Sequence, residues 1–361
     1  MEQVKLGDIA TYINGYAFKP EDRGENGLLI VRIQDLTGNA YDVGFYDGEY
    51  PPKIEINTGD VLISWSASLG VYVWNRGKAL LNQHIFKVVF DKKEIDKEYF
   101  VYAVRRKLSE LDGKTHGATM KHIVKKDFDN TLIAYPPIGK QTEIAEKLNK
   151  ITRIIEHRKK EMVLLDDLIR ARFVELTDET ETVPTRMGDI ATYLNGYAFK
   201  PTQWEEIGLP IIRIQNLNDE NAPYNYFSGS LADKYFVQNG DVLVSWATHL
   251  EAYIWKGQDA WLNQHIFKVV FDKMEVDKIY FVYACEEALR QAFRNAHGFK
   301  PTMEHIKKAD FDNAIVKLPK IEVQEQFAAF VTLVDKSKVA VQKALDETQT
   351  LFDSLMQEYF G

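Results

Sequence analysis

The chain is nearly devoid of cysteine. Its single one among 361 residues, Cys285, excludes a disulfide framework and a thiolate metal site, and it reads as a small core residue. Apolar runs are short, well under the roughly 18 residues that a membrane-spanning helix needs. The opening MEQVKLGDIA lacks the basic-then-apolar layout of a secretory signal, so a cytoplasmic protein with no membrane partner is expected. Positive charge is scarce too: 45 Lys+Arg stand against 53 Asp+Glu, a net charge of −8. That balance argues against a generic polyanion binder, because non-specific nucleic-acid affinity comes from Lys and Arg neutralising phosphates. The deficit is uneven, with 27 Lys+Arg and 28 Asp+Glu in residues 1–180 against 18 and 25 in residues 181–361. Any nucleic-acid contact must therefore use local patches.

Catalytic signatures are missing as well. The histidines sit in separate blocks whose spacings match no zinc pattern, so no metal site is expected. Gly113-Lys114-Thr115 looks like the end of a phosphate loop, but Leu108 stands where the motif needs its earlier glycine. Asp91-Lys92-Lys93 has a carboxylate-x-Lys spacing, which becomes Asp272-Lys273-Met274 later in the chain. No Ser or Cys occupies a nucleophile elbow. Neither a Gly-rich S-adenosylmethionine motif nor an Asn/Asp-Pro-Pro-aromatic motif is present; Pro136-Pro137 lies between Tyr135 and Ile138, where prolines break a strand and start a helix. No catalytic residue is assigned.

What is present is a repeat. LGDIATYINGYAFKP (6–20) returns as MGDIATYLNGYAFKP (187–201), identical at 13 of 15 positions with an offset of 181. The offset also relates VRIQDL to IRIQNL, GDVLISWSASLGVYVW to GDVLVSWATHLEAYIW, and LNQHIFKVVFDKKEIDKEYFVYA (81–103) to LNQHIFKVVFDKMEVDKIYFVYA (262–284). After His116 and His297 it becomes 183, because GFKPTMEHI replaces GATMKHI. Each copy reads as short strands rich in Ile, Val, Tyr and Phe between Gly, Asn and Asp turns, with one helix near Lys97–Leu111: an α+β unit.

From Gln141 the pattern turns helical. Ile144, Leu148, Ile151, Ile155, Arg158, Met162, Leu165, Ile169, Arg172 and Leu176 alternate at spacings of four and three, a coiled-coil seam. Phe327, Val331, Val334, Lys338, Val341, Leu345, Thr348, Phe352, Leu355 and Tyr359 repeat it. Charges on the two seams alternate with apolar residues: Arg158 matches Val341, and Lys338 matches Ile155. One amphipathic helix cannot bury its own stripe, so two long antiparallel helices packed together, with the repeats related by a pseudo-two-fold axis, are the expectation. The resulting division is 1–138 and 181–321 as globular units, with spacer helices over 139–180 and 322–361.

The layout LGDI, NGYAFK, VRIQDL, GDVLIS, NQHIFKV, PPI-x-x-Q-x-x-I, helix, and then all of it again, resembles the specificity subunit of type I restriction-modification systems from about Leu6 to Phe360. The resemblance implies two target-recognition domains, each reading one half of a bipartite site on double-stranded DNA, and helices that space them and dock two methyltransferase subunits. It implies that S-adenosylmethionine, and the ATP and Mg needed for restriction, sit on partner subunits, including possible restriction/translocase subunits, and that the methyltransferase flips and modifies the target adenine. No cofactor is expected in this chain. A two-fold reader suits duplex DNA, and a helix of about 36 residues at about 1.5 Å each is roughly 54 Å long, between one and two turns of duplex. Because the copies are near-identical, the target should be a near-palindrome.

Candidate DNA contacts are polar or aromatic turn residues that recur. Tyr16 and Lys19, with Tyr197 and Lys200, fit a turn that presents a phosphate contact; ring packing beside a solvated lysine is the alternative. Arg32 and Gln34 alternate with Val31, Ile33 and Leu36 like one face of a strand, as do Arg213 and Gln215, and arginine–guanine and glutamine–adenine are favoured pairings; a cross-strand structural pair is the alternative. Gln83 and His84, with Gln264 and His265, precede an apolar strand, where they either reach a groove or cap the turn. Trp65 and Ser66, with Trp246 and Thr248, head a loop that diverges between copies, as 37–58 does from 218–239; such loops read different bases or are tolerant surface. His116, Thr119 and Lys121, with His297, Thr302 and His305, belong to a Gly-broken polar loop. Replacing Arg32 by Ala is expected to cost about 1–3 kcal/mol of DNA affinity and relax one base position if Arg32 contacts a base, and to weaken all sequences equally if it holds phosphate. Binding measured across a randomised duplex library separates these outcomes, and no effect would make it structural.

Overall fold

The computed structural model describes residues 2–114, 123–219, 221–248, 250–297 and 306–361, without the side chains of 111–114 and 295–297. Two compact units emerge: Met1–Lys159 with Lys343–Gly361, and Lys160–Gln342.

The first copy contains β1 (Gln3–Lys5), β2 (Thr11–Asn14), β3 (Leu28–Val31), α1 (Ile33–Thr37), β4 (Phe45–Tyr46), β5 (Glu55–Ile56), β6 (Val61–Ser64) and β7 (Gly70–Val73). After these come β8 (Ala79–Leu81), β9 (Ile85–Val89), α2 (Lys97–Lys114), α3 (Lys125–Asp129), β10 (Leu132–Ala134) and the long helix α4 (Ile138–Glu179). The second copy repeats the order with β11 (Thr182–Arg186), α5 (Met187–Ile190), β12 (Thr192–Asn195), β13 (Leu209–Ile212), α6 (Ile214–Asn218), β14 (Asn225–Phe227), β15 (Phe236–Val237) and β16 (Val242–Ser245). It continues through β17 (Glu251–Ile254), β18 (Ala260–Leu262), β19 (Ile266–Val270), α7 (Lys278–His297), α8 (Lys308–Asp312) and β20 (Ile315–Pro319) to α9 (Ile321–Phe360).

In each copy an antiparallel sheet (β2-β9-β6-β7; β12-β19-β16-β17) packs on a mixed sheet (β4-β3-β8-β5; β14-β13-β18-β15), beside a two-stranded ribbon (β1-β10; β11-β20). The mixed sheets owe their parallel pair to β3 with β8 and β13 with β18. β6 shows why the layers form. Val61-Leu62-Ile63-Ser64 is an unbroken buried run, as expected of a strand covered on both faces. Val61 and Ile63 join Tyr12, Phe86 and Val88 in one core with Tyr99, Phe100 and Val104 of α2. Leu62 points the other way, into a second core with Val31, Ile54, Ile56, Trp74 and Leu81. Successive side chains thus serve opposite layers, at the strand period of two. The α+β class read from the sequence is the class observed.

VRIQDL is the exception. Its alternation suggested a strand through Arg32 and Gln34, but β3 ends at Val31 and α1 begins at Ile33. The Asp35 carboxylate accepts from the Arg32 backbone N–H at 2.9 Å, and Asn216 Oδ1 does the same for Arg213 at 3.1 Å, closing a helical turn where a strand ladder would have continued.

All twenty seam positions named above are buried or half-buried. In the first unit Ile144 and Leu148 of α4 share a core with Met356 and Phe360 of α9. In the second, Phe173 meets Phe327 at 5.5 Å between ring centroids and Asp166 meets Lys338 at 2.7 Å. Within that unit the α4 number therefore rises as the α9 number falls, so the segments run antiparallel. The Asp166 bond also explains how a lysine is accommodated on the seam. Phe173, absent from the predicted seam, is drawn in by Tyr280, Tyr283 and Phe327.

A buried amide joins the long helix to the globular unit. Gln141, 1% exposed, accepts from the Asp96 backbone N–H at 3.0 Å and donates to the Pro136 carbonyl at 2.8 Å. Asp96 in turn caps α2 through its carboxylate, which accepts from the N–H groups of Glu98 and Tyr99. Gln324, Asp277 and Pro319 rebuild the joint in the second copy. Replacing Gln141 by Leu removes both bonds but keeps the volume, stranding a buried N–H and a carbonyl. The expected loss is about 1–3 kcal/mol of stability, read as a lower midpoint in chemical denaturation; an unchanged midpoint would show the joint to be dispensable.

Candidate nucleic-acid interface

Strand register brings four loops to one place. Asn14 at the end of β2 faces Phe86, Ser64 at the end of β6 faces Ile85, and Val31 at the end of β3 pairs with Leu81 at the end of β8. The C-terminal ends of four strands therefore converge where β9 begins, and the segments bearing Tyr16, Arg32, Trp65 and Gln83-His84 leave the sheets together. Asn195–Phe267, Ser245–Ile266 and Ile212–Leu262 repeat the register.

The NGY loop docks directly on the NQH turn. Tyr16 N–H donates to the Leu81 carbonyl (2.8 Å) and Gln83 N–H to the Tyr16 carbonyl (2.8 Å). Gly15 is required for this: a Cβ there would lie 2.0 Å from the Asn82 carbonyl oxygen, and at Gly196 likewise 2.0 Å from that of Asn263. Tyr16 is 44% exposed with its ring edge-on to Phe18, while Tyr197 is half-buried against Phe199 and Tyr235. Lys19 and Lys200 are exposed.

The NQH turn is strained alike in both copies. His84 and His265 hold φ of 71° and 73°, and Ala67 and Thr248 hold 57° and 66°, a left-handed conformation that costs a non-glycine residue about 1–3 kcal/mol. Trp65 braces His84 at 4.9 Å between ring centroids and stacks on Phe86 at 5.6 Å; Trp246 does the same for His265 and Phe267. The two indoles thus hold the histidines in place. Ser66 is 7% exposed, with its side chain behind the surface. Its counterpart Ala247 is buried too, while Thr248 is exposed.

Arg213, Gln215, Thr248, Gln264 and His265 line a single cavity of ≈ 500 Å³, together with Asn218, Asp219 and Asn263. Sequence reasoning placed five of these at the interface but missed Asn263, beside Gln264, and Asn218 and Asp219, which the end of α6 and its C-cap deliver and a strand would not. In the first copy Arg32 is tied down: its Nε lies 3.1 Å from Asp35 and its Nη1 3.2 Å from Asp42. Burial works against the Arg32 charge, and the bonds to Asp35 and Asp42 outweigh it, holding its pKa above the ordinary value. The Asp42 carboxyl is held below the usual range by Arg23 first and Arg32 second.

His116, Thr119, Lys121, Thr302 and His305 lie outside the described residues, and of His297 only the backbone, at the end of α7, is described. Ile123 N–H donates to the Trp65 carbonyl and Ile306 N–H to that of Trp246, so the chain re-enters the described fold beside this cluster. A second cavity, lined by Phe173, Tyr283, Glu286 and Ile315 among others, shares no residue with it. Among the described residues no group of three or more His, Cys, Asp or Glu is placed to hold a metal ion, and no helix is long and apolar enough to cross a membrane.

Comparison with known proteins gives this geometry a context. The family model described as type I restriction modification DNA specificity domain matches residues 1–164 and again 179–348. The EcoBI specificity subunit of Escherichia coli is 23% identical over 413 residues, covering 99% of this chain and 85% of its own. The MjaVIII specificity subunit of Methanocaldococcus jannaschii is 21% identical over 338 residues, covering 83% and 79%. Among solved structures, the S subunit of a type I restriction-modification system from M. genitalium superposes with a TM-score of 0.53 at 13% identity, covering 100% of this chain and 96% of that one. A structure described as showing complex assembly and conformational transition of the type I R-M system gives 0.58 at 15% identity, covering 99% and 97%. Both share the fold.

The contact at Gly15 is testable by melting temperature. Replacing Gly15 or Gly196 by Ala should destabilise by more than about 1 kcal/mol, because the clash is with backbone. Replacing Gly139, where nothing lies within 4 Å, should stabilise α4 by up to about 1 kcal/mol. Equal effects at the three sites would refute the steric argument.

Proposed function

Because the chain belongs to the type I restriction-modification DNA specificity family, whose members recognise DNA while other subunits carry the chemistry, we propose that it reads a bipartite, near-palindromic duplex target, one half-site per recognition unit. The observation that carries this reading is the repeated convergence of Tyr, Arg, Gln, Trp and His side chains at the same strand ends in both copies. Residue types suited to base edges and backbone lie there side by side.

In this reading two methyltransferase subunits dock on the long helices and restriction/translocase subunits join them in the cytoplasm. Ile154, Val163, Leu164, Leu168 and Val174 of α4, and Leu333, Val339 and Leu351 of α9, are apolar side chains left exposed, as a docking surface would leave them. S-adenosylmethionine, and ATP with Mg for cleavage, belong to those partners. The net charge of −8 suits a reader that leaves much of the phosphate grip to them.

Methylome sequencing of a host carrying this chain with its methyltransferase should recover one bipartite motif whose half-sites are reverse complements at most positions. Unrelated half-sites would refute the near-palindrome, and no chain-dependent motif would refute the recognition role.

A further inference from the structure

The two copies hold their matching arginines differently. Arg32 is enclosed by acceptors: Asp35 takes its Nε, the Asp42 carboxylate takes Nη1, and the Asp42 backbone carbonyl takes Nη2. Asp42 is also bonded by Arg23. With its amide oriented to satisfy its neighbours, Gln34 also turns its oxygen to Arg32, 3.0 Å from both terminal nitrogens.

At the offset of 181 Gln34 is retained as Gln215, but each charged residue around the arginine changes. Asp42 becomes Pro223, Asp35 becomes Asn216 and Arg23 becomes Trp204. Arg213 keeps one bond, from Nη1 to Asn225 Oδ1 at 3.1 Å, and lies over the Trp204 ring at 5.1 Å. Among the described residues it has no ion-pair partner. Asp219 lines the same cavity, but its carboxylate accepts from the Asn221 N–H. One guanidinium fork is thus neutralised by carboxylates, while the other is held by neutral groups at the wall of the cavity. Bidentate recognition of a guanine edge needs two N–H groups of one fork to be free together.

Building on the recognition role proposed above, we propose that Asp42 makes the half-sites unequal: it withholds Arg32 from the base that Arg213 reads in the other half-site. Asp42 is a positioning residue that acts through Arg32, and the target departs from a palindrome at this position. Asp42 is 58% exposed, so its replacement removes little packing.

The test uses the full chain in complex with its methyltransferase, selected against a duplex library randomised in both half-sites. The variant R213A identifies the position, as the one that relaxes in the second half-site. The unmodified chain should show a roughly tenfold or greater base preference there and little preference at the mirror position of the first half-site. D42N, and D42A likewise, should create the matching preference at that mirror position, leaving the remaining positions and the melting temperature unchanged.

Equal preference at both positions in the unmodified chain would overturn the inference while leaving the recognition role intact. A D42N profile identical to that of the unmodified chain, or one shifted across the whole first half-site, would also overturn it, the latter by showing that Asp42 acts through loop folding. Failure to recover any bipartite motif would overturn the recognition role itself.

Discussion

The buried glutamine at the start of each long helix is the constraint on which the rest depends. An amide in an apolar joint has to find partners, because an unsatisfied buried polar group costs about as much as a substantial part of a domain's net stability. Gln141 and Gln324 each find two, one on the approach to the long helix and one at the residue that caps α2 or α7. The helix therefore leaves its globular unit at one place and in one register. Because α2 and α7 pack on the antiparallel sheets through Tyr99, Phe100, Tyr280 and Phe281, the joint is tied through that packing to the strands whose far ends carry the loops of the candidate interface.

Much of this was legible in the sequence, for reasons that differ by element. The duplication needed only identity at a constant offset. The helical seams were legible because a long amphipathic helix states its buried face at every turn, and both seams lie inward at every position named. Phe173 was missed because it sits beside the heptad rather than on it, and three aromatic rings reached only through the fold recruit it.

The interface was legible as composition and not as geometry. VRIQDL alternates like a strand, and the sign that it turns was the Asp three residues after Arg32, a short-range carboxylate that period-two reasoning passes over. Asp42 was invisible in a different way. It lies in a segment without periodicity, and its bond to Arg32 spans ten residues of chain that no local pattern constrains. Identity of the candidate residues between two copies says little about their free charge, because neighbours that neutralise them, such as Asp42, sit in loops that diverge.

The first unit is completed by residues 343–361, which place Met356 and Phe360 against Ile144 and Leu148. During synthesis the whole of the second unit, an unbroken stretch of chain, leaves the ribosome before that last piece of the first arrives. The half made first is thus the half finished last, its core open while its twin can already close. A premature stop in the final turns of α9 would then damage the amino-terminal reader and spare the one encoded beside it.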